Sequence, residues 1–178
     1  MTIQIISGTN RPNNMSLVLA RAYQESLSAA GVSASLIDLT DLPQDILATD
    51  LYGNRSDAFQ PFQDRIKENE HFIFIVPEYN GSIPGILKIF IDACDYPDTF
   101  VGKQAWLVGL GAGDGGNVAG LSHLRDILEF LGTRVHPEQA TYSKIRERMD
   151  GNGKFMDNGL PEELTAQVRT IAAVLSEA

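Results

Sequence analysis

Apolar residues along this chain follow two patterns: short unbroken or alternating runs, and recurrences at every third or fourth position. A clear unbroken run, Phe72 to Val76, is rich in aromatic and β-branched residues, which predicts a strand buried on both faces of a parallel sheet. Pro77 ends this strand, because proline cannot donate to a sheet ladder. The other predicted strands are Ile3 to Ile6, Ser33 to Leu39, Gln104 to Leu110, and Arg134 to His136 continued by Ala140 to Tyr142.

Helical spacing of apolar residues appears between these strands. After the first strand, Leu17, Ala20, Tyr23 and Leu27 share one helical face, and Gly31 marks the end of that helix. Two longer connections, Thr40 to Asp57 and residues 144–160, predict a surface flap and a turn-rich excursion or small hairpin. The remaining predicted helices are Phe59 to Asn69, Pro84 to about Cys94, Val118 to Leu131 and Pro161 to Ser176.

Five strands alternating with five helices predict an α/β fold with a doubly wound parallel sheet and three layers, α/β/α. The expected strand order is 2-1-3-4-5. With 178 residues, 43% of them hydrophobic, the chain is long enough for one well-buried domain and short for two. We therefore expect a single domain over residues 1–178.

The loops richest in Gly, Asn, Ser and Thr follow strands 1, 3 and 4, which are neighbours in this strand order. They are Ser7 to Ser16, Glu78 to Ser82, and Gly111 to Gly116. Because the carboxyl ends of parallel strands meet at one edge, these loops form one ledge where open α/β sheets bind ligands. We expect a ligand with a charged end and a flat end.

The first loop precedes a helix, so backbone N–H groups and the positive end of the helix dipole favour an anion there. Thr9, Asn14 and Ser16 add side-chain donors, and Arg11 adds a guanidinium suited to phosphate oxygens. The Walker pattern is absent, so a single terminal phosphate fits better than a nucleoside triphosphate. The alternative is an ordinary capped loop, because Ser and Asn are common N-caps.

The second and third loops suit the flat end of the ligand. Backbone N–H groups of Glu78 to Gly81 can approach a planar heterocycle, although an Asn-Gly pair also forms ordinary tight turns. Gly111 to Gly116 matches G-x-G-x-x-G, the dinucleotide fingerprint, but follows the fourth strand instead of the first. We interpret these glycines as allowing close backbone approach to the ring, with a flexible turn as the alternative.

Charge and composition exclude several classes of function. A net charge of -9, with no basic patch, argues against nucleic acid and anionic membrane as partners. No apolar run approaches the ~20 residues of a membrane span, so we expect a soluble cytoplasmic protein. The single cysteine, Cys94, excludes an internal disulfide, and His71, His123 and His136 lack zinc-ligand spacing.

Taken together, these stretches resemble the NADPH-dependent FMN reductase family of flavodoxin-like flavoproteins, which includes chromate, quinone and azo reductases. The resemblance rests on Gly8 to Arg11 with Ser16 behind it, on Pro77 to Gly85 with Leu87-Lys88 and Ile91-Asp92, and on the third-loop glycines. It implies FMN as cofactor, NADPH or NADH as co-substrate, and a homodimer or homotetramer. Asn14 and Ile89 depart from the common family pattern of Ser and Asn.

By this resemblance, the FMN phosphate sits on the first loop and the isoalloxazine on the second and third. The phosphate residues would be Thr9, Arg11, Asn14, Met15 and Ser16, and the ring residues Pro77, Glu78, Tyr79, Asn80, Gly81, Gly111, Ala112 and Gly113.

The resemblance implies an oxidoreductase in which hydride passes from NAD(P)H to bound FMN and then to a small-molecule electron acceptor: free flavin, a quinone, an azo compound or a metal oxyanion. The cofactor carries the chemistry, so no catalytic side chain and no metal is expected. Arg11 and Arg55 are candidate partners for a nucleotide 2′-phosphate. One alternative is a flavodoxin-like electron carrier without direct NAD(P)H oxidation. Another is a hydrolase using Ser82 with His123 or His136 as base.

Overall fold

The computed structural model describes residues 2–150, 152, 154–156 and 161–177. Its centre is a five-stranded sheet in the order β2-β1-β3-β4-β5, in which all neighbouring pairs are parallel. The predicted fold class and strand order are therefore confirmed. The strands are β1 (Thr2–Ser7), β2 (Ser33–Asp38), β3 (His71–Pro77), β4 (Gln104–Leu110) and β5 (Arg134–Tyr142).

Helices cover both faces of the sheet. Apolar residues of α3, α4 and α5 form one core cluster with one face of the strands, and those of α1 and α7 form the other. The helices are α1 (Met15–Ala29), α2 (Ile46–Thr49), α3 (Gln60–Glu68), α4 (Gly85–Ala93), α5 (Val118–Phe130), α6 (Ile145–Arg148) and α7 (Glu162–Glu177). Within these described ranges, no helix is long and apolar enough to cross a bilayer.

The central strand β3 explains its unbroken apolar sequence. Phe72 and Phe74 point into the α3–α5 cluster, whereas Ile73 and Ile75 point into the α1/α7 cluster. Both faces are buried, so no polar position alternates with the apolar ones. Cys94 also lies in the α3–α5 cluster, and burial raises the pKa of its thiol to about 12. The thiol is a packing element and not a reactive group.

The predicted surface flap at residues 40–57 is wrong in part. The segment contains part of a 3₁₀ turn (Leu39–Asp41) and helix α2, and Leu42 and Ile46 pack in the α3–α5 cluster. Asp50, almost fully buried, accepts hydrogen bonds from the backbone N–H (2.6 Å) and hydroxyl (2.9 Å) of Ser56. Scattered apolar residues and one buried carboxylate therefore anchor a segment whose composition is mostly polar.

The fifth strand is continuous, unlike the two pieces expected from the sequence. Between the pairs Ala105–Val135 and Leu107–Gln139 the register shifts, and the extra residues around Pro137 are accommodated there as a bulge. An edge strand tolerates this because its outer side needs no ladder hydrogen bonds. In the turn-rich segment that follows, α6 precedes an antiparallel bridge between Met149 and Phe155, in line with a small hairpin. Residues 151, 153 and 157–160 of that segment lie outside the described residues.

Candidate functional site

A cleft of about 120 Å³ opens at the carboxyl edge of β1, β3 and β4, where the three polar loops meet. Ten of the thirteen residues predicted from the sequence line it, and four others were missed. The predicted lining residues are Thr9, Arg11, Asn14, Met15, Ser16, Pro77, Glu78, Tyr79, Gly111 and Ala112, and the four additional ones are Asn13, Leu110, Ile145 and Arg146.

The first loop ends in a capped helix. Asn14 is the N-cap of α1: its Oδ1 accepts from the N–H of Leu17 (2.7 Å), and its Nδ2 donates to the carbonyl of Arg11 (2.8 Å). The first-turn amides of a helix have no intrahelical acceptor, so those of Met15 and Ser16 are available at the cleft. Asn14 therefore caps the helix, as the alternative expected, and leaves the amides of Met15 and Ser16 available to a ligand.

Ser16 supplies the clearest sign of a missing partner. Its side chain is only 1% exposed, and among the described residues its Oγ has no hydrogen-bond partner. A buried hydroxyl without a partner costs about 1–3 kcal/mol. An anion at the N-terminus of α1 would satisfy both this hydroxyl and the helix dipole. The donor set therefore fits a phosphate group.

The second loop is a two-residue turn held on both sides. Tyr79 and Ser82 exchange two backbone hydrogen bonds of 3.0 Å, and Asn80 and Gly81 between them have positive φ angles of 52° and 75°. The Asn-Gly sequence suits this geometry, because these residues tolerate left-handed backbone conformations. The Tyr79 hydroxyl lies 2.8 Å from Thr9 Oγ1, so the second loop is tied to the first.

The third loop folds back over the end of β4. The N–H of Gly111 donates to the carbonyl of Tyr142 (3.0 Å), and the carbonyl of Leu110 accepts from Glu78 (2.8 Å). Beside this loop lies a second cavity of about 270 Å³, open to the surface. Gly81 and Gly113 line this second cavity and not the first. Asn80 lines neither of the two cavities.

A buried tyrosine pair supports the third loop from below. The hydroxyls of Tyr23 and Tyr142 lie 3.1 Å apart, and Tyr23 donates to Gln167 Oε1 at 2.8 Å. Burial raises the pKa of both tyrosine hydroxyls well above the usual range. The pair therefore stays neutral and serves as a fixed platform for the carbonyl that holds Gly111.

The residues missed at the cleft include a cation from the far end of β5. Arg146 and Ile145 belong to α6, which the backbone of residues 143–145 fixes against the third loop. The N–H groups of Lys144 and Ile145 donate to the carbonyls of Gly113 (3.0 Å) and Gly111 (3.1 Å). The available signal was topological, since the carboxyl end of β5 had to lie beside that of β4.

The geometry supplies one contact of the hydrolase hypothesis and lacks the others. Ser82 Oγ and His123 Nδ1 do lie 2.8 Å apart, but no described acidic side chain contacts the other ring nitrogen. The nearby N–H groups of Gly81 and Ser82 already donate to Glu78 and Tyr79, so these two amides are not free to form an oxyanion hole. His136 lies at the opposite edge of the sheet. Arg55, the second candidate for a 2′-phosphate, pairs with Asp95 at 2.6 Å.

Comparison with known proteins shows the family of this chain. Residues 1–147 match the family model described as NADPH-dependent FMN reductase. An NAD(P)H-dependent FMN reductase of Pseudomonas aeruginosa is 30% identical over 174 residues, covering 93% of this chain and 90% of the relative. A 2-hydroxy-1,4-benzoquinone reductase of a Burkholderia species is 27% identical over 160 residues, covering 88% and 86%.

Solved structures share the fold over nearly the full length. A flavoenzyme NAD(P)H:(acceptor) oxidoreductase of Paracoccus denitrificans superposes with a TM-score of 0.80 at 23% identity, covering 99% of this chain and 97% of that one. An archaeal flavodoxin superposes with a TM-score of 0.60 at 14% identity, covering 99% of both chains. The family match over residues 1–147 shows that this chain belongs to the NADPH-dependent FMN reductase family of oxidoreductases.

Proposed function

We propose that this chain is an FMN-dependent NAD(P)H oxidoreductase that passes electrons to a small quinone-class acceptor. The proposal rests on the cleft itself. The N-terminus of α1, whose donors suit a phosphate, and the backbone of Gly111 and Ala112 line the same cavity. The relatives named as quinone reductases favour a quinone over the other acceptors. When bound, FMN would supply hydride acceptance from NAD(P)H and electron delivery to the acceptor.

The protein's own part is to bind and orient. The amides of Met15 and Ser16, the Ser16 hydroxyl and Arg11 would hold the phosphate, and the Tyr79–Thr9 hydrogen bond (2.8 Å) would fix the ring loop relative to it. The backbone at Gly111 and Ala112 would border the ring without side-chain bulk. Gly81, Gly113 and the adjoining second cavity provide space for a second planar molecule beside the first.

The test is an absorption spectrum of the purified protein, followed by anaerobic NADPH and then a benzoquinone. We expect a flavin spectrum whose visible absorption is lost on adding NADPH and returns on adding the quinone. A protein that neither carries nor binds FMN would refute the cofactor assignment. NADH in a parallel titration decides the preferred nucleotide.

An electron carrier is the second candidate, favoured by the net charge of -9, which suits docking to a basic redox partner. Under that function the bound flavin would resist NADPH and accept electrons only through a partner protein. The same anaerobic titration separates the two functions.

We also propose a homodimer or homotetramer located in the cytoplasm. An apolar groove beside the first loop supports self-association: Ile86, Ile89 and Leu47 line it, and Leu47 is 62% exposed. Size-exclusion chromatography with light scattering tests this, and a monomer at all concentrations would contradict it.

A further inference from the structure

Two arginines face the candidate cleft of a strongly acidic protein. Arg11 comes from the first loop and Arg146 from α6. Among the described residues, neither side chain makes a hydrogen bond or ion pair, whereas Arg148, two residues after Arg146, pairs with Glu163 at 3.2 Å. An arginine without a carboxylate partner at the wall of a cleft is available to an anionic ligand.

The position of Arg146 is fixed by the segment that precedes it. Ser143 Oγ donates to the carbonyl of Asp114 (2.7 Å), and the Lys144 ammonium pairs with the Asp114 carboxylate (2.8 Å). With the two backbone hydrogen bonds from Lys144 and Ile145, four contacts hold residues 143–145 on the third loop. Arg146 therefore follows directly after a segment that is bound to the third loop, and it does not belong to a loose turn.

Arg146 lines the same cavity as the first-loop residues to which the phosphate is assigned, and its neighbour Ile145 belongs to the core cluster against which Met15 packs. Asn13, Met15 and Ser16 line the same cavity, and the Ser16 hydroxyl is the buried group without a described partner. A flavin phosphate carries up to two negative charges, which a single arginine and a helix dipole of about half a charge do not balance. A second guanidinium completes the balance.

We propose that Arg146 is a second phosphate-binding cation, which contacts the FMN phosphate together with Arg11. The inference rests on the proposed function, since it takes FMN as the ligand. It assigns a phosphate contact to the far end of β5, in addition to the first loop. The residue selects phosphorylated flavin over riboflavin, and it acts on the phosphate only.

The test compares two ligands that differ only in the phosphate. The full-length chain, freed of flavin by dialysis, is titrated with FMN and with riboflavin, and flavin fluorescence gives each Kd. For Arg146→Gln we expect the Kd for FMN to rise about tenfold or more, as for loss of a charged hydrogen bond, with the Kd for riboflavin unchanged. Arg146→Lys retains the charge and should recover part of the affinity for FMN.

Arg134→Gln is the matched control, because it makes the same charge change at the exposed, opposite end of β5. It should leave both Kd values unchanged. Equal losses of affinity for FMN and riboflavin in Arg146→Gln, or no loss of affinity for either, would overturn the inference. A rise in the KM for NADPH with both Kd values unchanged would also overturn it. Failure of the unaltered protein to bind FMN would instead refute the proposed function.

Thermal melting of the three variants without flavin checks that each is folded. If Arg146→Gln melts lower than the unaltered chain, Arg146→Lys becomes the deciding variant. An Arg146→Lys variant that folds normally and binds FMN no better than riboflavin would also overturn the inference.

Discussion

At the carboxyl edge of the sheet, Arg11 and Arg146 face an open cleft, whereas at the amino edge the Lys103 ammonium donates to the carbonyls of Lys67 (3.1 Å) and Asn69 (2.6 Å). Both edges belong to the same strands and carry cations. The two arginines at the carboxyl edge have no described partner and are available to a ligand, whereas the lysine at the amino edge joins two carbonyl groups of the chain. A cation at a strand end therefore indicates a binding site only where no group of the protein already occupies it.

The amino edge also shows how this protein buries imidazole. His136 stacks on Trp106 with ring centroids 3.9 Å apart, and its Nε2 lies 3.0 Å from Gln104 Oε1. His71 lies on the other side of Trp106, with centroids 6.1 Å apart. These side chains are packed and almost fully buried, and among the described residues His71 Nδ1 and Trp106 Nε1 have no hydrogen-bond partner.

The largest effect should come from adding one methyl group beneath the cleft. In Gly109→Ala the new Cβ would collide with the carbonyl oxygen of Gly116 and lie 3.1 Å from Leu121 Cδ1. We expect a loss of about 3 kcal/mol in the free energy of unfolding, measured with urea. In the control Gly115→Ala, no described atom lies within 4 Å of the new Cβ. Equal stability of the two variants would contradict the fold-back of the third loop.

Removing the first-loop cation should weaken the cofactor without unfolding the protein. Arg11→Ala should raise the Kd for FMN about tenfold or more, because a charged hydrogen bond to phosphate is lost. Fluorescence titration measures the Kd, and Arg21→Ala on the exposed side of α1 is the charge-matched control. An unchanged Kd for FMN in Arg11→Ala would show that the arginine has another role.

Loss of the helix cap should separate local folding from ligand binding. Asn14→Ala removes the acceptor for the Leu17 N–H, which should cost about 1 kcal/mol in the free energy of unfolding. Asn14→Ser restores a capping oxygen and should recover most of this loss. If both variants lose the same stability, the cap is not the relevant contribution of Asn14.

The smallest effect concerns pH at the amino edge. Burial lowers the pKa of both His71 and His136, and nearby Glu70 and Glu138 partly offset this shift. Because the folded-state pKa lies below the unfolded value of about 6.5, their contribution to stability is complete above that pH and is lost as pH falls. Urea midpoints between about pH 8 and pH 5 should fall, and should fall less steeply in His136→Gln. A similar flattening in His123→Gln would contradict this assignment.

How much the sequence predicted depends on whether a signal was local. The apolar run of β3, the spacing of α1 and the glycines of the third loop are local patterns, and the fold and most of the cleft follow from them. The short helices α2 and α6 contain four residues each, too few for a periodic pattern. Only tertiary contacts determine these helices.

Arg146 shows the same limit within the site. It stands in a turn-rich stretch between Lys144 and Arg148, and nothing in its neighbours separates the residue that faces the cleft from the two that form ion pairs. Its placement follows from hydrogen bonds to the third loop, more than thirty residues earlier in the chain. The role of Asn80 stays a prediction, because it lines neither of the two cavities described above.

The hydrogen bond between Thr9 and Tyr79 has a consequence for protein engineering. Each hydroxyl belongs to a different loop, and the two loops are seventy residues apart in the chain. Replacing only one of these loops with that of a relative therefore changes only one of the two hydrogen-bonded residues. Chimeras that exchange both loops together should keep their cofactor, whereas single-loop chimeras should lose the alignment between its two ends.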